Sequence, residues 1–278
     1  MTETETATTC YRHPDRETRV ACSNCGRPIC PDCMIPTPVG MRCPECAREK
    51  TQVRRLQSGP SRQTTPATYA LIGLCLAAFV GEIATGFGAS TFQNGFSRLT
   101  AEGAMSASAV ADGQWYRILT NGFLHYGIFH LGLNMVALYF LGALLEPGIG
   151  TGRFVGLFLV SVLGGSLGVV LLQPDSFAAG ASGGVFGLLS AGFLFARRRG
   201  LDMIAQQLGF FVLLNLGFTF LYPGISIGGH LGGLVAGGVA ALVMTSLERK
   251  GGSNRGLFEG AFLVALGAVI AVATVALS

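Results

Sequence analysis

The segment "FAAGASGGVFGLLS", Phe177 to Ser190, sets Ser182 among small residues at the start of an apolar run, and "SIGGHLGGLVAGG" does the same for His230. A serine hydroxyl is a weak nucleophile until a neighbouring base takes its proton. An imidazole can take that proton and later return it to a leaving amine. The same residues have a plainer use, because Gly-x-Ser-Gly also lets helices pack closely, and this chain holds 41 glycines. A third segment favours chemistry. "FLHYGIFHLGLNMVALYF" carries His125, His130 and Asn134, and the last two, four residues apart, share one helix face. Ionisable groups in or beside membrane spans are costly and usually functional.

Seven of the eight cysteines form a second constellation, between Cys10 and Cys46. With one histidine they make four knuckles: Cys10 and His13, Cys22 and Cys25, Cys30 and Cys33, Cys43 and Cys46. Eight such ligands suit two tetrahedral zinc ions. Four residues separate Cys25 from Cys30, too few for independent sites, so the expected pairing interleaves: first knuckle with third, second with fourth. A disulfide framework is the alternative; it leaves His13 unexplained and conflicts with a reducing compartment. The order and spacing resemble a B-box-type zinc finger over about 37 residues. That resemblance implies a protein-interaction role and a cytoplasmic protein partner.

Composition says where these groups sit. Charged residues are 12% of 278, about half the usual soluble share, and the mean hydropathy is +0.52. The expected fold class is an all-α polytopic membrane protein. Seven apolar runs lie near 67–86, 126–146, 153–172, 182–196, 203–222, 226–246 and 257–277, the fourth conspicuously short. Residues 1–66 are polar, without the apolar stretch of a signal peptide. They hold ten Lys/Arg and seven Asp/Glu; seven thiolates and two zinc ions bring the total to about zero, so no nucleic-acid partner is expected.

Arginines and lysines set the expected orientation. Arg54, Arg55 and Arg62, then Arg153, then Arg197, Arg198 and Arg199, then Arg249, Lys250 and Arg255 all fall on one side if the N-terminus is cytoplasmic. The C-terminus is then outside, in a multi-pass cell-membrane protein. Spans two, four and six run inward from outside, so His130, Asn134, Ser182 and His230 lie at the outer ends of three parallel helices. From Ser182 to Ala196 and from His230 to Met244 are equal lengths of about 22 Å, which matches their depth. The approach "QPDSFAAGAS" must then enter the membrane beside a water-filled cavity. Gly183 and Gly187 on span four, with Gly229, Gly233 and Gly237 on span six, form seams for close approach. No carboxylate lies mid-span to orient the imidazole, so the reading is a dyad, with Asn134, His130 and the Ser182 N–H available to an oxyanion.

At this point the chain resembles the rhomboid family of intramembrane serine proteases over about residues 67–250. Tyr116-Arg117, His125-x4-His130-x3-Asn134, Gly180-x-Ser182-Gly183 and Gly229-His230 occur in order. The resemblance implies Ser182 as nucleophile, His230 as base, and His130 with Asn134 in the oxyanion hole. It also implies Phe186 packed against the base, Glu146 as a structural acid, and a transmembrane substrate cut near the outer face. His125, Gly180 and Gly183 are supporting residues. Two departures are Trp115 standing one place before the usual position and a seventh span after a six-helix core. The expected layout is a double-zinc head at 1–50, a linker at 51–66, a protease core at 67–250 and an added helix at 251–278. An inactive client-binding relative and a transporter are the alternatives. The first would usually lack the serine or histidine, and the second leaves Gly-x-Ser-Gly opposite a histidine unexplained.

Overall fold

The computed structural model describes residues 8–37, 40–48, 64–87, 96–222, 224–250 and 254–278. Most of the linker, with Arg54, Arg55 and Arg62, lies outside these residues. The chain divides into two compact units, Met1–Ser61 and Arg62–Ser278.

The first unit holds two small hairpins and a short helix. β1 (Thr8–Thr9) pairs antiparallel with β2 (Glu17–Thr18), and β3 (Ile35–Thr37) with β4 (Gly40–Arg42), followed by α1 (Pro44–Arg48). Its interior consists of six cysteines and Ile29. A unit this small buries too little apolar surface to fold unaided and usually needs metal or disulfides. All eight cysteines of the chain are free.

The second unit is helical. α2 (Pro66–Glu82) starts on a proline, which suits a first turn that has no use for its N–H. The long connection that follows is not a plain loop: it contains α3 (Arg98–Gly103), α4 (Ala107–Ala111) and α5 (Arg117–Thr120). Buried Arg117 ties them together, donating to the Ala101 and Ala104 carbonyls at 2.8 Å and to Gln114 at 2.7 Å. Then come α6 (Ile128–Ile149), α7 (Thr151–Leu172), α8 (Ser182–Arg198), α9 (Asp202–Leu221), α10 (Ile227–Lys250) and α11 (Arg255–Leu277). Gly150, at φ +85°, makes the one-residue reversal between α6 and α7.

Six helices are long and apolar enough to cross a membrane, among the described residues. They are α2 with its helical continuation to Gly86, 21 residues in all, and α6, α7, α9, α10 and α11. Large apolar side chains such as Leu133, Phe140, Leu213, Leu221, Val264 and Val272 face outward, which suits lipid and not water. With the family relationship reported below, this makes the chain a multi-pass membrane protein.

α8 is the exception, at 17 residues. Most of it is buried, so its environment is chiefly protein. It ends where the Leu201 and Gly200 N–H groups bond back to the Ala196 and Arg197 carbonyls, a Schellman closure with basic Arg197 and Arg198 in the last turn.

α10 is the hub, packed chiefly against α7 and α8. Both contacts run through glycine. On the α7 side Gly164 and Gly168 face Gly228 and Gly232; on the α8 side Gly183 and Gly187 face Gly233 and Gly237. A methyl group at Gly168, Gly232, Gly233 or Gly237 would land on backbone of the opposite helix, with no side chain to move aside. Gly233→Ala is therefore expected to destabilise the bundle by about 1–3 kcal/mol through overpacking. Thermal unfolding in detergent checks it, with Gly217→Ala, which meets nothing within 4 Å, as the silent control.

At the far ends of the helices lies a chain of ion pairs. Arg199 meets Glu248 at 3.6 Å, Glu248 meets Arg255 at 3.4 Å, and Arg255 meets Glu259 at 2.7 Å. Glu259, fully buried, also pairs with Arg153. The network gathers the C-terminal ends of α8 and α10 with the starts of α7 and α11. It also seats α11 on the rest of the bundle.

Candidate active site

The N-terminal ends of α6, α8 and α10 supply the predicted residues. Ser182 is the first residue of α8, where backbone N–H groups of the opening turn have no intrahelical acceptor. Gly180, just before it, has φ +141°, open to glycine at little cost. A side chain there would also collide with His130: a Cβ would lie 2.6 Å from the ring Cε1 and 2.9 Å from Nε2, and 3.4 Å from Ser182 Oγ. The bare glycine is what lets the imidazole and the hydroxyl share one small space.

The segment before Ser182 is pinned from several sides. Met105 and Ala178 exchange backbone hydrogen bonds of 2.8 and 3.0 Å, and the Gly180 N–H donates to the Asn121 carbonyl at 2.9 Å. The Ala181 N–H donates to His125 Nε2 at 3.5 Å, and His125 Nδ1 lies 3.2 Å from the Phe123 carbonyl. His125 thus staples the approach to α8 against the approach to α6. A cavity of about 20 Å³ lies beside Ser182, lined by Asn121, Val162, Gly165, Gly180 and Ser226 among others, with room for about one water.

His130 sits in the first turn of α6, its ring stacked beside Tyr126 at 6.1 Å. The Tyr126 N–H donates to His130 Nδ1 at 3.4 Å. A nitrogen that accepts carries no proton, so Nε2, on the side of the ring that faces Gly180, is the N–H of the neutral ring. Asn134, buried one turn later, donates through Nδ2 to the His130 carbonyl at 2.9 Å. Its amide has a second N–H to offer.

His230 lies in the first turn of α10. Its ring stacks on Phe186, one turn beyond Ser182, with centroids 4.2 Å apart and planes at 21°. The Gly229 carbonyl approaches Gly183, so the residues next to the base and the nucleophile touch backbone to backbone. No hydrogen bond joins Ser182 to His230 among the described residues; such bonds often tighten only when substrate binds.

Three contributors escaped the sequence reading. Thr219 of α9 lies 2.7 Å from His230 Nδ1. Gln173 accepts from the Gly228 N–H at 2.9 Å and so caps the helix that bears His230. Fully buried Glu82 accepts from Thr100 at 2.7 Å and from the His125 N–H at 3.1 and 3.2 Å, tying α2 to the site loops. Glu146, named from the sequence as a structural acid, accepts from the Ala67 and Thr68 N–H groups and from the hydroxyls of Thr68 and Thr151 at 2.7–3.0 Å, capping α2.

The head residues gather into two clusters, Cys10, His13, Cys30 and Cys33, and Cys22, Cys25, Cys43 and Cys46. The interleaved pairing is therefore the one adopted. A tetrahedral zinc with bonds of about 2.3 Å to sulfur and about 2.0–2.1 Å to nitrogen sets ligand separations near 3.8 and 3.6 Å. Cys25 and Cys43 Sγ are 3.8 Å apart, and His13 Nδ1 lies 3.9, 3.3 and 3.4 Å from the sulfurs of Cys10, Cys30 and Cys33. The donor sets fit metal ions. Burial pushes the Cys10 thiol up, but backbone hydrogen bonds from Arg12, Cys30 and His13, with the His13 side chain, outweigh it and bring it down to about 6. Cys22 also reaches about 6, burial being outweighed by bonds from Cys43, Cys25 and Asn24. Thiolate is the form that binds metal. In the same two clusters, burial with Cys10 and Cys30 pushes Cys33 up to about 11, and Cys46 is pushed up to about 12, the bond from Asn24 being outweighed by Cys43 and burial.

A multi-pass helical membrane protein with a serine at a buried helix start, flanked by two histidines, defines a narrow class. Residues 112–247 match the rhomboid domain. Similar curated proteins include rhomboid protease GluP of Bacillus subtilis, 37% identical over 171 residues, covering 60% of this chain and 33% of that protein. RHOMBOID-like protein 4 of Arabidopsis thaliana is 31% identical over 200 residues, 66% of this chain and 48% of that protein. RHOMBOID-like protein 1 of the same plant is 33% identical over 190 residues, 65% and 48% respectively. Residues 112–247 thus form a rhomboid domain, and the chain is similar to rhomboid proteases. It spans between a third and a half of the length of these relatives.

Proposed function

We propose that the chain is an intramembrane serine endopeptidase that cuts transmembrane segments of membrane-anchored proteins. The observation that carries this is the meeting of Ser182 Oγ and the His130 ring at Gly180, with His230 stacked on the helix that bears Ser182. Ser182 attacks the scissile carbonyl while His230 takes its proton, then passes it to the leaving amine. The oxyanion forms at the N-terminus of α8, where free N–H groups and the helix dipole favour negative charge. His130 Nε2–H and the second Asn134 N–H are the side-chain donors. Labelling of the purified protein by a fluorophosphonate, which reacts with activated serines, tests the reading; absence of labelling in well-folded protein refutes it.

Asn134→Ala is expected to reduce turnover about 10²-fold, the usual cost of one oxyanion donor. A variant that cleaves at the wild-type rate removes Asn134 from that role.

The site opens at the outer face in this reading. Support comes from the arginine-rich ion-pair network at the opposite helix ends, because arginine collects on the cytoplasmic side. The N-terminus is then cytoplasmic and the C-terminus outside. Residues 1–50 form a head with two structural zinc ions, 51–66 a linker, 67–250 the protease core and 251–278 an added helix. Four protein ligands leave each ion no open position, so the head takes no part in hydrolysis and serves to recruit a cytoplasmic protein.

A further inference from the structure

The base needs an orienting partner, and no carboxylate stands near enough to His230 among the described residues to serve. We propose that Thr219, on α9, is the positioning residue that fixes the protonation of His230, with the Asn215 carbonyl behind it. This rests on the assignment of His230 as base.

The argument is one of counting protons. Thr219 Oγ1 lies 2.7 Å from the Asn215 carbonyl oxygen and 2.7 Å from His230 Nδ1. We assign the single hydroxyl proton of Thr219 to the Asn215 carbonyl, which can only accept. The hydroxyl then meets His230 through a lone pair, and Nδ1 must carry the proton. Nε2 is left as the only acceptor on the ring, which is what a general base requires. Thr219 is 2% exposed, so no water competes for its lone pair. The Phe186 stack fixes the plane of the ring and the Thr219 bond fixes its rotation within that plane.

The neighbouring histidine is held the other way. The Tyr126 N–H occupies His130 Nδ1 and leaves its Nε2 as a donor. Backbone and hydroxyl partners thus give two neutral imidazoles opposite tautomers, one to accept a proton and one to donate a hydrogen bond. In the serine hydrolases with a triad, a carboxylate selects the tautomer of the base. Here a neutral hydroxyl backed by a carbonyl does so, with no charge placed in the membrane.

Two measurements test this, on the full-length protein in detergent. The first is the ¹⁵N imidazole spectrum of protein labelled at histidine, with the His230 signal assigned by its loss in His230→Ala. Wild type and Thr219→Ser should show His230 protonated at Nδ1, and Thr219→Val, which keeps the shape without the acceptor, should shift it toward Nε2–H. The second is fluorophosphonate labelling over a range of probe concentrations. Thr219→Val should lower the maximal rate about 10–100-fold with the half-saturating concentration unchanged, and Thr219→Ser should recover it to within about threefold. A wild-type spectrum with His230 protonated at Nε2 overturns the proposal even where Thr219→Val misfolds, as does a Thr219→Val protein labelled at the wild-type rate. Undiminished labelling of His230→Ala instead sinks the assignment of the base, a result that the spectrum of Thr219→Ser cannot imitate.

Discussion

Ser182→Ala and His230→Ala are each expected to abolish cleavage, lowering the rate by about 10⁴–10⁶-fold, while the protein stays folded in the membrane. The two losses should be alike and should not add, because nucleophile and base act as one unit. Folding is spared for different reasons at the two positions. Ser182 occupies a helix start whose fold depends on Gly180, Gly183 and the bonds of the preceding loop, none of which uses its hydroxyl. His230→Ala gives up one stack on Phe186 and one bond to Thr219, but the glycine seams on either side of α10 remain. Cleavage of a single-span membrane substrate in detergent, with thermal unfolding of each variant beside it, is the measurement. A Ser182→Ala protein that still cleaves, or still reacts with a fluorophosphonate, removes Ser182 as nucleophile.

Stripping metal should unfold the head altogether. Its interior is made of ligands, with Ile29 the one apolar residue that is not a cysteine in its buried cluster among the described residues. A structural zinc site contributes about 10–16 kcal/mol of apparent binding energy, far more than this interior could gain from apolar burial. Metal analysis is expected to find two ions per chain, and a strong chelator should erase the chemical-shift dispersion of residues 8–48. One ion per chain, or a head that keeps its fold after chelation, contradicts the double-site reading. The spectrum of the membrane helices should not change, since their seams hold no metal ligand.

The two predictions differ in how plainly the sequence announces them. The head was legible because cysteine ligands keep strict spacings, and the four residues between Cys25 and Cys30 forced the interleaved order. Placing Ser182 and His230 on neighbouring helices was legible too, because glycine at every fourth residue of both spans left little else for those faces to do. Thr219 was not. A threonine in an apolar helix usually bonds back to the carbonyl four residues earlier, and Thr219 does that as well. Only the fold reveals that its hydroxyl also lies 2.7 Å from His230 Nδ1. The segment from Arg98 to Thr120 was likewise opaque: its helices run four to six residues, too short for any periodicity to register. Glu82 reads in the sequence as a carboxylate near a span end, and its bonds to the His125 backbone depend on a chain fold 43 residues away.

The shortness of α8 bears on the order in which the protein can be built. A segment of 17 residues stands at the lower limit of what spans a membrane, and α8 depends on α10 for one of its two seams. But α10 follows it in the chain, so 52 residues separate Arg198 from Lys250 at the end of that partner. At about 5–20 residues per second, synthesis leaves α8 without its partner for roughly 3–10 s. During that interval α7 is the only one of its two glycine-packed neighbours yet made, and the opening turn of α8, though His125 and His130 already precede it in the chain, does not yet have His230. The helix starts that carry Ser182 and His230 therefore come together late in biogenesis, and on the proposed mechanism the nucleophile is made before its base.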